Sequence, residues 1–249
     1  MPSMLDLVNS EHQDEFRSRG AKGAALAIVT NNSDPDGLGM VKLTYPWLSK
    51  SNQTDWIRVA SSIAGDNAGS FLIPEVGTEV LVVFINGDIN QPIVIGSLWN
   101  KEDKAPYINQ NGQNNIKMIR TRTGHEIVFD DTPQKEQIRI HTHAGQEIVM
   151  DDTVGSMKII IRDENNSNSI EIDSKSGSIV ISSALNITMK SSNINLEGSV
   201  GVNIEAPVIT NKASGLITSK ANIISNEASS ISCTASGPLA LKGTPVALG

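Results

Sequence analysis

Aromatic residues are scarce in this 249-residue chain and are missing from its last 120 residues. They make up 4% of the sequence, and Phe129 is the last of them. A conventional globular core of about 100 residues uses several aromatic rings. We therefore expect the C-terminal half not to bury itself in the ordinary globular way.

Other features are also rare, and each one excludes a class of protein. The single cysteine, Cys233, excludes an intrachain disulfide framework and a cysteine-based zinc site. No run of 18 apolar residues exists, so no transmembrane helix is expected. The start, MPSMLDLVNS, has no basic and apolar stretch, which predicts no secretory signal peptide. A formal net charge of -7 without a basic stripe argues against nucleic-acid binding through phosphate contacts.

Residues 23–100 carry the pattern of closely spaced strands. Strands are predicted at 25–30, 40–45, 56–60, 79–85 and 92–98, with turn or loop residues between them, including a loop at 65–69. Five strands in fewer than 80 residues, without helical periodicity, favour a small barrel of the oligonucleotide/oligosaccharide-binding (OB) topology. The pattern also allows another small β-barrel or a β-sandwich. The polar residues 1–22 fit either a short amphipathic helix or an unstructured lead-in.

Internal repetition begins after a polar linker at 101–115. The run RTGHEIVFDDT at 122–132 recurs as HAGQEIVMDDT at 143–153, an offset of 21 residues. Further on, apolar pairs separated by one residue recur about every eight residues. The pairs include Ile170 with Ile172, Ile179 with Ile181, Ile187 with Met189, Ile194 with Leu196, and Val202 with Ile204. Each unit predicts a short strand with two inward side chains.

Two small side chains cannot offset the conformational entropy lost when eight residues become ordered. Each strand must therefore stack on neighbours in a solenoid. One chain could supply all three strands of each level, or three chains could supply one strand each. The residues alone leave both arrangements open.

Several residues with reactive side chains have ordinary structural interpretations. The pairs Asp130–Asp131 and Asp151–Asp152 each end a strand before a threonine, which predicts turn chemistry rather than catalysis or calcium binding. His125 is replaced by glutamine at the equivalent position of the second repeat, so no demand for an imidazole is expected there. Cys233 shares the apolar stripe with Ile231 and is expected to be small and buried.

Three long motifs carry a family resemblance. IPEVGTEVLV at 73–82, GDINQPIVIGSLWN at 87–100 and RTRTGHEIVFDDT at 120–132 resemble the central spikes of contractile injection machines. These are the phage baseplate spikes and the valine-glycine repeat protein G (VgrG) of type VI secretion. The match covers most of 37–153, and the remainder agrees in repeat style only.

The resemblance implies an all-β homotrimer. It consists of an OB-fold barrel at 23–100, the linker at 101–115, and an intertwined triple-stranded β-helix at 116–249 that forms a triangular prism. The implied role is a structural, non-enzymatic needle that pierces a target cell envelope when a sheath contracts. A trimeric hub at the end of the tail tube is the implied base. Because only about 22 residues precede the barrel, the hub is expected to be a separate chain.

The resemblance also implies a partner at the C-terminal end. In the family, a small conical tip protein with proline-alanine-alanine-arginine (PAAR) repeats sits on the end of the prism. The residues expected to bind it are Pro245, Val246, Ala247, Leu248 and Gly249. The implied location is the baseplate of a virion or injection particle, assembled in the bacterial cytoplasm.

A metal site is not expected, although one candidate exists. Some phage spikes of this family bind iron at the tip through an H-x-H pair from each chain, and His141 and His143 form such a pair. Because Ile138 and Ile140 have the opposite parity, the two histidines should face solvent. The pair also lies over 100 residues before the C-terminus. The alternatives are a trimeric β-solenoid adhesin or carbohydrate-active tailspike, and an OB module with a disordered tail.

Overall fold

The computed structural model describes residues 23–48 and 53–246, so residues 1–22, for which a short helix and a lead-in were both open, lie outside the described residues. The described chain is all-β, apart from a 3-10 turn at Ile85–Gly87. The first seven strands are β1 Ala24–Asn31, β2 Lys42–Thr44, β3 Arg58–Val59, β4 Ala64–Gly65, β5 Ala68–Gly69, β6 Glu79–Phe84 and β7 Pro92–Ser97. The next seven are β8 Ile116–Arg120, β9 Glu126–Asp130, β10 Gln137–His141, β11 Glu147–Asp151, β12 Lys158–Arg162, β13 Ser169–Asp173 and β14 Ser178–Ser182. Within the described ranges, no helix has the length and hydropathy needed to cross a membrane.

The first sheet closes into a barrel. Its five strands run in the order β2-β1-β6-β7-β3, with β3 parallel to β7 and the other pairs antiparallel. The two edges are joined by a bridge between Val41 and Ile57, whose amides donate to each other's carbonyls at 2.9 and 2.7 Å. A five-stranded barrel with this order has the OB topology, as the sequence predicts.

Alternation along the strands builds the core of the barrel. In β6, the sequence EVLVVF buries every second side chain: Val80, Val82 and Phe84. The rest of this core consists of Ala27, Val29, Val41, Leu43, Tyr45, Ile57 and Val94. Burying each of the larger aliphatic side chains contributes roughly 1.5–3 kcal/mol. Burial also raises the pKa of Tyr45 to about 12.

Two details of the barrel differ from the expectation. The predicted loop at 65–69 is a small hairpin made of β4 and β5. At Gly69 the backbone has φ +149°, and a Cβ atom would lie 2.5 Å from the Ile63 carbonyl oxygen, so only glycine allows this close approach. The predicted strand at 56–60 shortens to β3, because only Arg58 and Val59 pair with β7.

The second sheet is a seven-stranded antiparallel meander in the order β8 to β14. The 21-residue repeat corresponds to one hairpin step, from β9 to β11 across β10. The same turn opens each repeat, with Gly124 and Gly145 at φ +94° and +84°. In each turn a threonine Oγ1 accepts a hydrogen bond at 3.0 Å, from the amide of His125 in one and of Gln146 in the other.

The meander continues into residues for which the eight-residue pattern predicts a β-helix. The pairs at 170/172 and 179/181 lie in β13 and β14, and both strands pair antiparallel within the chain. This differs from the β-helix predicted from 116 onward, because carboxylate-capped turns fold the strands back. Asp163 accepts from the amides of Ser167 and Asn168, at 2.8 and 3.2 Å. The triple-stranded β-helix stays a prediction for the later octads.

The chain divides into two units between Ile187 and Thr188. The described part of the second unit, residues 188–246, contains no strand, and each of those residues is exposed. A single copy of the chain therefore provides no strand partner for the octads, as their small apolar content leads us to expect.

Candidate functional site

The meander presents one almost entirely apolar face, formed by two rows of side chains that run across all seven strands. Each strand contributes two alternate residues to this face, because strand side chains alternate with a period of two. One row consists of Ile119, Ile127, Ile140, Ile148, Ile161, Ile170 and Ile181. The other consists of Lys117, Phe129, Ile138, Met150, Ile159, Ile172 and Ile179. We call these fourteen residues the apolar face; Lys117 is its one charged member.

The apolar face is open in the single chain. Ile148, on the central strand, is 39% exposed, and Ile181, on the last strand, is 56% exposed. Two grooves of about 520 and 480 Å³ lie along the face, the first lined by Ile140, Ile148 and Ile161 and the second by Phe129 and Met150 among others. Contiguous exposed apolar patches are typical of surfaces that bind another molecule.

The opposite face of the same sheet carries charged residues in its outer rows, while its central row includes the buried Val128 and Val149. Its cross-strand ion pairs join Arg120 to Glu126 at 3.1 Å, Arg162 to Glu147 at 2.6 Å, and Lys158 to Glu171 at 2.5 Å. The hydrogen bond to Glu171, with the negative charge of that carboxylate, raises the pKa of Lys158. We call this side the charged face. One side of the meander is therefore suited to water, and the other is not.

The two histidines of the H-x-H motif lie in different settings. His141 ends β10 on the charged face, opposite in parity to Ile138 and Ile140, and its strand neighbours are Glu126 and Glu147. His143 lies in the following turn, where its amide donates to Nδ1 of His125 at 3.3 Å. His141 has the parity expected from the sequence, whereas His143 lies beyond the end of the strand. No cluster of three or more candidate metal ligands occurs in the described ranges.

The paired aspartates act in turns. Asp130 and Asp151 each accept a hydrogen bond from the amide two residues later, at 2.9 and 2.8 Å. These are Asx turns at the ends of β9 and β11, which confirms the interpretation from sequence. The backbone amide of His125, rather than its ring, carries the repeated turn contact, which explains why glutamine serves equally well in the second repeat.

The structure describes some of the residues named in the C-terminal predictions. Cys233 is exposed in the single chain, so the predicted burial is wrong for one copy, because no strand neighbour covers the octads there. Of the predicted tip-binding residues, Pro245 and Val246 are described and exposed. Ala247, Leu248 and Gly249 lie outside the described residues.

The extent of the apolar face was missed from the sequence. The i, i+2 pairs were recognised from about 170 onward, whereas the face begins at β8. The available signal was the strict alternation inside EIVFD and EIVMD, which places one isoleucine of each motif in the same row.

The class of protein that this fold defines is an all-β protein with an OB-fold barrel and a sheet whose apolar face is open in one copy. Residues 25–99 match the family model described as the type VI secretion system/phage-baseplate injector OB domain. This part of the chain is therefore similar to the OB domain of injector proteins.

Curated relatives agree with this match. The chain is 39% identical over 115 residues to the type VI secretion system spike protein VgrG3 of Vibrio cholerae, which is 43% of this chain and 11% of the relative. It is 34% identical over 132 residues to the spike protein VgrG5 of Pseudomonas aeruginosa, covering 48% and 17%. It is also 35% identical over 114 residues to the actin cross-linking toxin VgrG1 of Vibrio cholerae, covering 43% and 10%. The chain thus spans a small part of the length of these relatives.

Proposed function

We propose that this protein is the central spike of a contractile injection particle, and that three copies assemble by turning their apolar faces toward a common axis. Two of the relatives, VgrG3 and VgrG5, are spike proteins by name, and the barrel matches the injector OB domain model. The observation that carries the proposal is the apolar face, which is open in one copy and has Lys117 as its one charged member, whereas the reverse carries the ion pairs.

A cyclic trimer buries the apolar face that a single chain leaves exposed. Three meanders arranged as a triangle bury the isoleucine row inside and keep the ion pairs in water. The thirteen apolar members of the face are already half-buried on average, so each gains roughly 1 kcal/mol on complete burial. The sum is of order 10 kcal/mol per copy, which is comparable to the entropic cost of association.

The later octads form the needle in this proposal. Three chains each supply one strand per level, so the exposed pairs of residues 188–246 turn inward and find backbone partners. Cys233 then becomes buried beside Ile231. The trimer carries three times the formal charge of -7, or -21, which keeps a slender rod soluble.

The partners follow from the two ends of the spike. The OB barrels seat on a trimeric hub at the end of the tail tube, and sheath contraction drives the needle into a target envelope. Residues 245–249, in which Val246 and Leu248 repeat the apolar pairing of the octads, bind a PAAR-type tip protein in this proposal. The role is structural rather than enzymatic: the Asp and His motifs are accounted for by turns and by the charged face.

The native mass of the purified chain tests the assembly. We expect three times 26.6 kDa, about 80 kDa, by light scattering, and an elongated particle by negative-stain microscopy. A stable, compact species of 26.6 kDa would contradict the proposal. Deleting the residues after Leu241 tests the tip site: the trimer mass should persist while binding of the tip protein is lost.

A further inference from the structure

The two edges of the meander differ in how they are protected against pairing with a strand of another chain. β8 and β14 are its edge strands, and each leaves a row of backbone N–H and C=O groups without a sheet neighbour among the described residues. Such edges pair readily with strands of other chains unless charges, proline or a covering segment prevent it. The sequences of the two strands are IKMIR and SIVIS.

The β8 edge carries charged residues. Lys117 is the only charged member of the apolar face; its Nζ donates to the Asn114 carbonyl and lies 3.9 Å from Asp131. Arg120 pairs with Glu126 on the other side of the sheet. A lysine placed on the inward side of an edge strand is a known obstacle to strand addition, because the added strand would bury its charge.

The β14 edge has none of this protection. Its five residues include no charge and no proline, and every one is exposed. Ile179, Val180 and Ile181 are 68%, 51% and 56% exposed. The chain continues directly into another apolar pair, Leu185 and Ile187, which are 89% and 58% exposed and form no strand.

We propose that the free edge of β14 is where pairing within one chain gives way to pairing between chains, and that it receives residues 185–187 of a second copy. The inference rests on the proposed trimer and adds to it the strand that joins the copies. A strand added to this edge must continue the alternation between the two faces of the sheet. Residues 185–187 do so, because Leu185 and Ile187 extend the apolar face and Asn186 lies on the opposite face. Asn186 then lies beside Val180, the outward residue at the centre of β14.

Disulfide trapping between two versions of the full chain tests the pairing. One version carries V180C and the other N186C, both with C233S and with tags of different size, and the two are co-expressed. We expect a disulfide-linked species containing one chain of each size. The matched control replaces V180C with M118C, because Met118 occupies the same outward row on the protected edge β8. The control should give no such species.

Each other outcome is informative. If the C233S parent has trimer mass but V180C and N186C do not cross-link, the edge inference is wrong while the trimer stands. A disulfide within one chain that carries both cysteines, with no link between chains, would also overturn it, since residues 185–187 would then pair with their own β14. A monomeric C233S parent would instead refute the proposed assembly.

Discussion

The central isoleucine of the apolar face provides the sharpest test of the assembly. Ile148 and Val149 are adjacent on β11 and point to opposite faces of the meander. In a single copy, Ile148 is 39% exposed and Val149 is 6% exposed. In the proposed trimer Ile148 is buried instead of exposed, because three copies of its side chain meet inside the prism.

The two arrangements predict different stability changes. In a monomer, Ile148→Ala removes a partly exposed side chain and costs about 1 kcal/mol, whereas Val149→Ala removes two buried methyl groups and costs about 2 kcal/mol. In the trimer, Ile148→Ala costs about 3 kcal/mol per chain, hence roughly 9 kcal/mol for three chains, while the cost of Val149→Ala stays near 2 kcal/mol per chain. The ranking of the two variants therefore identifies the state.

Thermal unfolding followed by circular dichroism measures this ranking. We expect Ile148→Ala to lower the melting temperature more than Val149→Ala does, and the melting temperature of the parent to rise with protein concentration, as mass action requires for an oligomer. A larger loss for Val149→Ala, together with melting that does not depend on concentration, would refute the reasoning.

Three further predictions concern single side chains. Glu147→Gln breaks the ion pairs with Arg162 at 2.6 Å and Arg139 at 3.8 Å, and because the Glu147 side chain is 10% exposed we expect a loss of about 1–2 kcal/mol by chemical denaturation; an unchanged midpoint would contradict it. Hydrogen bonds from Asn168 and Ser167 lower the pKa of Asp163 below its usual 3.8, so its stabilisation is present above that pH and is lost as the pH falls through the lowered value; melting temperatures measured down to pH 2 should depend less on pH in Asp163→Asn. Cys233 should react with a thiol reagent slowly in the native protein and quickly in denaturant, whereas equal rates would show that it stays exposed.

The barrel was largely predictable from local pattern. Alternation in EVLVVF and the turn residues between strands indicate five short strands, and the structure confirms them. Closure of the barrel was expected only as one of several topologies, because the Val41–Ile57 bridge joins residues with no shared local signal. The lengths of β3 and of the β4–β5 hairpin also depend on which partner strand lies alongside.

The amino-acid pattern alone predicted short strands with two inward apolar residues each after the linker, and it shows that no aromatic residue follows Phe129. It could not decide which strands pair within one chain, because a meander and an intertwined prism use the same alternation. The tertiary structure decided this through turn chemistry. Asp163 and Asp173 cap tight reversals and fold β12 to β14 against one another, which leaves β14 as an edge. The register of those pairs then aligned seven isoleucines in one row, and that row gives the sheet its open apolar face.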